Sequence, residues 1–301
     1  MVLGPSIFGF LLIINLLKNI RGMGLREVYK QYVSELSSLY PESEARMLVM
    51  WIFEDYLSVT RKDLLANLPL TVIPEGLEVA MGRLMAGEPV QYILGKAPFY
   101  GRYFKVGPGI LIPRYETEEL VQLILNNHKG KMKVLDLGTG SGCIAITLAL
   151  EWVEAEVKAI DISDHALELA KVNASELKAK LSFAKADLLA DVLDLGKYDI
   201  VVSNPPYVLE NERSMMHPNV LDHEPSVALF VPDNDPLQFY KAIVFHAKSH
   251  LNPNGYLYVE INEAFGPEVK DLMQKEGFSG IQLYQDLNGK DRVVYGKYLA
   301  P

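Results

Sequence analysis

From Lys133 to Tyr298 the sequence alternates short apolar segments, typical of strands, with longer segments whose apolar residues recur at helical spacing. The strand-like segments are KVLDLG, EVKAID, LSFAKAD, YDIVVSNPPY, GYLYVEI, IQLYQD and RVVYGKY. Alternation over this length predicts an α/β fold in which a parallel sheet is covered by helices on both faces. The last two segments are joined by LNGKD, whose Asn-Gly favours a hairpin, so the last strand is predicted to be antiparallel.

The chain before the first of these strands divides into regions that differ in residue composition and in the spacing of apolar residues. Residues 23–88 carry apolar side chains at three- and four-residue spacing, which predicts a small helical domain with Ser43 capping one of its helices. Residues 89–112 include VQYILG and FYGRYFKV, whose β-branched and aromatic residues between glycines and prolines predict a β-hairpin linker. The α/β domain is then predicted to span residues 113–301.

Residues 1–22 contain an apolar run, IFGFLLIINLL, with Lys18 and Arg21 after it. The run has eleven residues, too few to cross a bilayer as a helix. A signal peptide would carry its charges before the run. We therefore expect a non-essential extension with Met23 as a candidate start; a membrane-surface anchor and an extra packing helix are the alternatives.

The composition limits the function classes that fit this chain. Its 301 residues include 38 acidic and 29 basic ones, for a formal net charge of −9. This balance disfavours a protein that follows phosphate backbones, so no direct nucleic-acid binding is expected. The single cysteine, Cys143, excludes an intramolecular disulfide and indicates a reducing cytoplasm. The six histidines lack ligand spacing, so no metal site is predicted, and His246 and His250 are expected to pack or be solvated.

A glycine-rich loop, DLGTGSG, follows the first of the alternating strands. Ligands of parallel α/β sheets bind beyond the carboxyl ends of the strands, where glycines let the backbone approach closely. The spacing differs from a nicotinamide fingerprint, because Cys143, expected to be a buried small side chain, stands where the last glycine would be. Asp136 would repel a phosphate but suits a ligand with an ammonium and a sulfonium group. The predicted ligand contacts are Asp136, Gly138, Thr139, Gly140 and Gly142; an ordinary tight turn is the alternative.

Two further acidic residues end the next two strands. Asp161, which follows Asp136 by 25 residues, is placed to accept both hydroxyls of a ribose. Asp187 is placed to accept the amino group of an adenine. Their neighbours Ile162 and Leu188 complete the predicted nucleoside site. A helix-capping role for Asp161 and a solvated loop position for Asp187 are the alternatives.

The fourth strand ends in SNPPYV, where two consecutive prolines remove two backbone donors and fix two φ angles. Asn204 precedes a proline and is held extended. Its side-chain oxygen and the Pro205 carbonyl are two fixed acceptors, which suit the two hydrogens of a planar –NH₂ group, and Tyr207 can stack on the flat group behind that nitrogen. The predicted catalytic residues are Asn204, Pro205, Pro206 and Tyr207; a rigid loop without a catalytic role is the alternative.

The combination of DLGTGSG and SNPPY resembles the S-adenosylmethionine-dependent amino-methyltransferases. Within them, the chain from about Met23 onward is similar to the glutamine N5-methyltransferases that modify peptide chain release factors. The segments that carry this similarity are GEPVQYILG, FYGRYFKV, LIPRYETEELV and EPSVAL. Tyr115 stands where the family usually has proline, so the start of that helix is expected to differ.

This resemblance implies a Rossmann-like seven-stranded sheet, S-adenosylmethionine as methyl donor, and the glutamine of a release factor's Gly-Gly-Gln tripeptide as acceptor. It implies that the helical domain docks the release factor, and that Asn204 contacts both donor and acceptor. Pro205, Pro206, Tyr207 and Glu224 complete the implied substrate contacts, and a monomer is expected. A nucleic-acid amine (adenine N6 or guanine N2) methyltransferase is one alternative, disfavoured by the acidic balance; a non-catalytic binding module is the other.

Overall fold

The computed structural model describes residues 24–70, 72–189 and 194–299. These residues form two compact units. The first contains the described residues up to Gly95 together with His217–His223, and the second contains Lys96–Met216 and the described residues from Glu224 onward. The predicted N-terminal extension, residues 1–22, lies outside the described residues.

The first unit is helical. Its helices are α1 (Leu25–Leu36), α2 (Glu42–Leu57), α3 (Arg61–Ala66), α4 (Glu75–Met85), α5 (Val90–Leu94) and, from the later segment, α9 (Pro218–His223). Phe53 of α2 is fully buried and makes edge-to-face contacts with Tyr29 and Tyr32 of α1, at ring-centroid distances of 5.6 and 6.1 Å. Tyr40 stacks on His217 at 5.2 Å, so the later segment packs within this unit.

Two predictions for the first unit are wrong. Ser43 is not the cap of α2, because the helix already begins at Glu42, directly after Pro41. The segment VQYIL, predicted as part of a β-hairpin, is the helix α5. Pro89 precedes this helix, and Gly95 ends it in a left-handed conformation with φ 68°. These two local signals outweigh the β propensity of the residues between them.

The second unit is built on a seven-stranded sheet with the strand order β10-β11-β9-β6-β3-β4-β5. The strands of the unit are β1 (Lys96–Phe99), β2 (Arg102–Lys105), β3 (Lys133–Leu137), β4 (Glu156–Asp161), β5 (Ser182–Lys185), β6 (Tyr198–Ser203), β7 (Val208–Leu209), β8 (Phe230–Val231), β9 (Leu251–Glu260), β10 (Phe278–Gln285) and β11 (Asp291–Tyr298). Strands β5, β4, β3, β6 and β9 are parallel, whereas β11 is antiparallel to both of its neighbours. The predicted α/β class and the antiparallel last strand are confirmed.

Helices cover both faces of this sheet. They are α6 (Tyr115–Asn127), α7 (Cys143–Glu151), α8 (Asp164–Leu177), α10 (Gln238–His250) and α11 (Gly266–Lys275). Successive strand residues point to opposite faces. On β3, Val134 belongs to the apolar cluster that includes α6 and α7, and Leu135 to the cluster that includes α10 and α11. Among the residues that the structure describes, no helix has both the length and the apolar composition needed to cross a membrane.

The order of the parallel strands reverses at β3. The chain adds β4 and β5 on one side of β3 and then crosses to add β6 on its other side. Neighbouring loops at the carboxyl ends of β3 and β6 therefore leave the sheet in opposite directions. In open α/β sheets the crevice at such a point is where ligands bind.

Candidate active site

A cavity of about 360 Å³ opens beyond the carboxyl ends of β3, β4 and β6. This volume lies in the range of small-molecule sites. It is lined by the loops that follow β3, β4, β5 and β6 and by segment 109–114. The predicted site residues on its surface are Gly138, Thr139, Gly140, Asp161, Ile162, Asp187, Leu188, Asn204, Pro205 and Pro206. Four others, Asp136, Gly142, Tyr207 and Glu224, are not among the described lining residues.

Three glycines shape the loop after β3. Gly138, Gly140 and Gly142 have φ angles of 76°, 55° and 84°, in the left-handed region where other residues are strained. The N–H groups of Gly138 and Thr139 both donate to the Ile160 carbonyl, at 3.0 and 2.9 Å, and tie the loop to β4. The loop therefore presents mainly backbone to the cavity.

Asp136 is fully buried behind this loop. Its Oδ2 accepts a 2.6 Å hydrogen bond from the Thr139 hydroxyl, whereas its Oδ1 is buried without a hydrogen-bond partner among the described residues. Burial raises the pKa of this carboxyl to about 7; the Thr139 hydrogen bond opposes the rise and the charge of Asp161 adds to it. A positively charged ligand group would stabilise the anion, so Asp136 fits an ammonium nearby.

Asp161 lies at the end of β4 on the cavity surface. Its Oδ2 accepts from the Gly140 N–H at 2.8 Å, and its Oδ1 from the Ser163 N–H at 2.9 Å. A carboxylate offers about four lone-pair sites, so each oxygen retains capacity for a ligand hydroxyl. Ile162 beside it is 57% exposed and provides an apolar surface. This arrangement fits a ribose next to a flat apolar group.

The loop after β5 adds a second carboxylate to the cavity surface. Asp187 Oδ1 accepts from the Leu189 N–H at 2.9 Å, which turns the chain locally. The Leu188 carbonyl lies 2.9 Å from His246 Nε2 of α10, which anchors the loop. Asp187 and Leu188 thus present a polar and an apolar group to the same cavity.

Asn204 begins a hydrogen-bonded chain that leads away from the cavity. Its Nδ2 donates to Thr117 Oγ1 at 3.0 Å, and the Thr117 hydroxyl donates to Glu260 Oε2 at 2.8 Å. Thr117 lies in the first turn of α6 and Glu260 is the last residue of β9. Asn204, Thr117 and Pro205 all line the cavity. Because the Asn204 nitrogen is engaged, its side-chain oxygen is the atom left to accept from a ligand.

Glu260 also holds Tyr207. The Tyr207 hydroxyl donates to Glu260 Oε1 at 3.1 Å. Burial raises the pKa of Glu260 to about 6, and burial followed by the charge of Glu260 raises that of Tyr207, so the phenol stays protonated and donates. The hydroxyl end of Tyr207 is therefore directed at Glu260, and its stacking on a substrate group stays a prediction.

Glu224 is held behind the cavity by residues of segment 109–114. Its side chain is 1% exposed. Its Oε1 accepts from Arg114 Nη2 at 2.7 Å and its Oε2 from the Ile112 N–H at 3.0 Å. Arg114 and Ile112 line the cavity, so Glu224 acts on the cavity through them. Its direct contact with a substrate stays a prediction.

Three residues given packing roles from the sequence have such roles. Cys143 is buried, and burial raises the pKa of its thiol to about 12, which confirms a buried, unreactive side chain. His246 and His250 are buried, stack at 6.2 Å, and contact backbone carbonyls of Leu188 and Gly196 at 2.9 Å each. Within the described ranges, no group of three or more His, Cys, Asp or Glu could hold a metal ion.

Sequence reasoning missed Thr117, Glu260 and Arg114. Glu260 carried a usable signal, because a charged residue near the end of the apolar segment GYLYVEI is predicted to lie at the same sheet edge as Asp161. Thr117 carried none, since a threonine near a helix start is common. Tyr115 occupies the first position of α6, where proline is also favoured, so this departure leaves Thr117 in the first turn.

Comparisons with known proteins define the class first. A family model described as "Methyltransferase small domain" matches residues 116–222, and one described as "PrmC N-terminal domain" matches residues 27–95. A solved methyltransferase from Pyrococcus furiosus shares the fold, with a TM-score of 0.50 and 16% identity over 67% of this chain and 91% of that one. With the glycine loop and its carboxylates, these matches define an S-adenosylmethionine-dependent methyltransferase.

Curated relatives then define the family. A release factor glutamine methyltransferase from Bacteroides thetaiotaomicron is 44% identical over 263 residues, covering 86% of this chain and 95% of the relative. One from Flavobacterium psychrophilum is 40% identical over 281 residues, covering 90% and 98%. One from Bacillus subtilis is 44% identical over 217 residues, covering 69% and 75%. The chain belongs to the release factor glutamine methyltransferase family.

Proposed function

We propose that this cavity brings S-adenosylmethionine together with the glutamine of a release factor's Gly-Gly-Gln tripeptide, and that the chain methylates the glutamine side-chain nitrogen. The observation that carries this proposal is the fixed Asn204 side chain, whose nitrogen is bound to Thr117. Its oxygen and the carbonyl of Pro205, the next residue and also on the cavity surface, are the two acceptors that we assign to the substrate. A primary amide has the two hydrogens to satisfy both.

The donor half of the cavity is assigned by its carboxylates. Asp161 would hold the ribose hydroxyls, with Ile162 beside the nucleoside, and Asp187 with Leu188 would hold the adenine. Asp136, with Thr139, would face the ammonium, and the backbone of Gly138, Gly140 and Gly142 gives the donor room. Asn204 would contact the donor as well as the acceptor. When bound, S-adenosylmethionine would supply a methyl group on a positively charged sulfur. The glutamine nitrogen would form a bond to that methyl as the carbon–sulfur bond breaks, S-adenosylhomocysteine would leave, and one of the two nitrogen-bound hydrogens would be lost as a proton to water.

The acceptor half works by orientation. An amide nitrogen is a weak nucleophile because its lone pair is delocalised into the carbonyl. Asn204 and Pro205 accept its two hydrogens, which fixes the nitrogen in line and raises its electron density as the bond forms. Holding reacting atoms at about 3 Å in line supplies about 7–11 kcal/mol of the barrier, so no strong base is required. Pro206 fixes the backbone, and Tyr207 and Glu224 complete the substrate side.

The helical residues of the first unit are proposed to dock the release factor, since the methyl-transfer site is made entirely from residues of the second unit. A monomer in the cytoplasm without direct nucleic-acid binding is the accompanying proposal, supported by the formal net charge of −9 and the single cysteine.

Mass spectrometry tests the proposed function. A purified release factor incubated with the enzyme and S-adenosylmethionine is expected to gain one methyl group on the glutamine of its Gly-Gly-Gln tripeptide. Asn204→Ala is expected to lower turnover by roughly 10²–10³, the usual loss for one preorganised hydrogen-bonding group. Donor affinity should barely change, because Gly138, Gly140 and Asp161 provide most of the proposed donor site. Methylation of DNA or RNA by labelled donor, with the release factor left unmodified, would contradict the proposal.

A further inference from the structure

We infer that Thr117 and Glu260 are positioning residues that set which end of the Asn204 carboxamide meets the substrate. Through them, a buried carboxylate at the end of β9 turns the Asn204 oxygen toward the glutamine nitrogen. This inference rests on the proposed function, because it concerns how the same site orients its acceptor.

The direction of each hydrogen bond follows from the donor inventory. Ionised Glu260 has no hydrogen to give, so the 2.8 Å contact with Thr117 Oγ1 is filled by the one hydroxyl hydrogen of Thr117. The Thr117 oxygen can then only accept. Asn204 lies 3.0 Å from that oxygen, and only its –NH₂ end can fill this contact. The opposite orientation would set two oxygens against each other with no hydrogen between them.

One carboxylate fixes both polar side chains of the Asn-Pro-Pro-Tyr segment. Glu260 Oε2 controls Asn204 through Thr117, and Glu260 Oε1 accepts directly from the Tyr207 hydroxyl at 3.1 Å. The prolines fix the backbone between these two residues. Glu260 and Thr117 are 0% and 2% exposed, so the carboxylate and the hydroxyl at the centre of these contacts are buried.

Ionisable groups on several neighbouring elements interact electrostatically with Glu260. The titratable or charged groups that face it are Glu116 of α6, Cys143 of α7, Tyr207 after β6, Tyr240 of α10 and Arg292 of β11. Arg292 stabilises the Glu260 anion while it is paired with Asp286 at 3.1 Å. Burial raises the pKa values of Cys143, Tyr207 and Tyr240, so these groups stay neutral while Glu260 titrates.

Protonation of Glu260 would remove the directional constraint. Burial raises its pKa to about 6. Below that pH, Glu260 can donate to Thr117, Thr117 can donate to the Asn204 oxygen, and the carboxamide is satisfied when turned over. Its –NH₂ end would then face the substrate –NH₂ group, donor against donor. Turnover is therefore expected to fall as the pH falls through about 6.

Thr117→Val and Thr117→Ser test the inference on the full-length enzyme. Valine keeps the shape of threonine but lacks the hydroxyl, so kcat on release factor is expected to fall roughly 10- to 100-fold, with KM and donor affinity within about twofold. Serine restores the hydroxyl and is expected to recover kcat to within about threefold of wild type. The matched control is Thr147→Val, at another buried threonine whose hydroxyl has no hydrogen-bond partner among the described residues, and its kcat should be unchanged.

A second measurement reads the orientation without turnover. The side-chain amide NMR signal of Asn204, identified by its loss in Asn204→Ala, is expected to titrate near pH 6 in wild type and to lose that titration in Thr117→Val. Glu260→Gln should remove the same titration and the acidic fall in kcat. If Glu260→Gln does not fold, the inference is tested by the turnover of Thr117→Val and Thr117→Ser and by the pH titration of the Asn204 signal in wild type.

The outcomes separate this inference from the proposed function. If wild type methylates the release factor, two results would overturn the positioning role and leave the proposed function intact. One is a Thr117→Val variant with the turnover of wild type, and the other is a Thr117→Ser variant as impaired as Thr117→Val. An Asn204 signal that is flat in wild type between pH 5 and 8 overturns it as well. Wild type that leaves the release factor unmethylated overturns the function itself.

Discussion

At the residue scale, Asp161 and Asp136 are two carboxylates of one site in opposite environments. Asp161 lies at the cavity surface, and its two oxygens accept from two backbone N–H groups. Asp136 is fully buried and one of its oxygens has no hydrogen-bond partner among the described residues, which stabilises its neutral form. A ligand that carries hydroxyls at one end and a cation at the other would satisfy both.

Asp161→Ala is expected to weaken S-adenosylmethionine binding by about 1.5–3 kcal/mol, the contribution of hydrogen bonds to a charged acceptor. Titration calorimetry measures the change. The matched control is Asp164→Ala, because the Asp164 side chain is 70% exposed and pairs with Lys185 at 2.5 Å. Unchanged donor affinity in Asp161→Ala would remove Asp161 from the ribose site.

Asp136 is expected to release a proton when the donor binds. Its pKa is raised to about 7, so near pH 6.5 much of the free protein carries a neutral Asp136. A bound cation favours the anion, so donor affinity rises as the pH rises through about 7. Calorimetry at pH 6.5 in buffers of different ionisation enthalpy should show more proton release for wild type than for Asp136→Asn. The donor's amino group is already mostly protonated at this pH and adds little to the difference. Equal proton release from the two proteins would contradict the assignment.

At the element scale, segment 109–114 owes its position to one buried carboxylate on a distant loop. Glu224 accepts from the Ile112 N–H and from Arg114, and both of these residues line the cavity. Neither residue is near Glu224 in sequence, and the segment has no helix or strand of its own. The wall of the cavity therefore depends on a tertiary contact rather than on local structure.

Glu224→Ala is expected to lower the free energy of unfolding by about 1–3 kcal/mol, because it leaves the buried Ile112 N–H without an acceptor. Glu224→Gln keeps an acceptor and should cost less. Urea denaturation measures both, with Glu210→Ala as a control that removes an exposed ion pair to Arg213. If Glu224→Ala is as stable as Glu210→Ala, segment 109–114 does not depend on Glu224 for its position.

At the scale of the whole molecule, the proposed function assigns methyl transfer to the second unit and docking of the release factor to the first. The residues that line the cavity belong to the second unit, and the first unit has its own core around α1, α2 and α4. The first unit is discontinuous in sequence, since His217–His223 belongs to it. Deletion of residues 23–88 would therefore leave His217–His223 without the rest of its unit. A substitution in the core of the first unit is a cleaner test of docking.

Phe53→Ala is expected to destabilise the first unit by about 3–5 kcal/mol, the usual cost of emptying a buried phenylalanine site. Hydrogen exchange should show faster opening of α1 and α2. Donor affinity should stay unchanged while the KM for intact release factor rises. The KM of Phe53→Leu should lie between those of wild type and Phe53→Ala. Faster hydrogen exchange in the first unit together with an unchanged KM for release factor would exclude a role of this unit in docking.

The sequence by itself determined the features that arise from local physics. Short apolar segments alternating with segments of helical spacing predicted the order of strands and helices, and the Asn-Gly turn predicted the antiparallel last strand. DLGTGSG and SNPPYV marked the cavity edge. Where a local rule was misjudged, as for VQYIL between Pro89 and Gly95, the flanking residues held the missing signal.

Only the tertiary structure decided how the polar side chains pair. Thr117 meets Asn204 across 87 residues and Glu260 across 143, and Glu224 meets Arg114 across 110. The two contacts of Thr117 exist because the sheet places β6 beside β9, with α6 packed over them. Periodicity reports which face of a segment is buried, but a hydrogen bond between two buried side chains depends on distances that only the packed sheet sets.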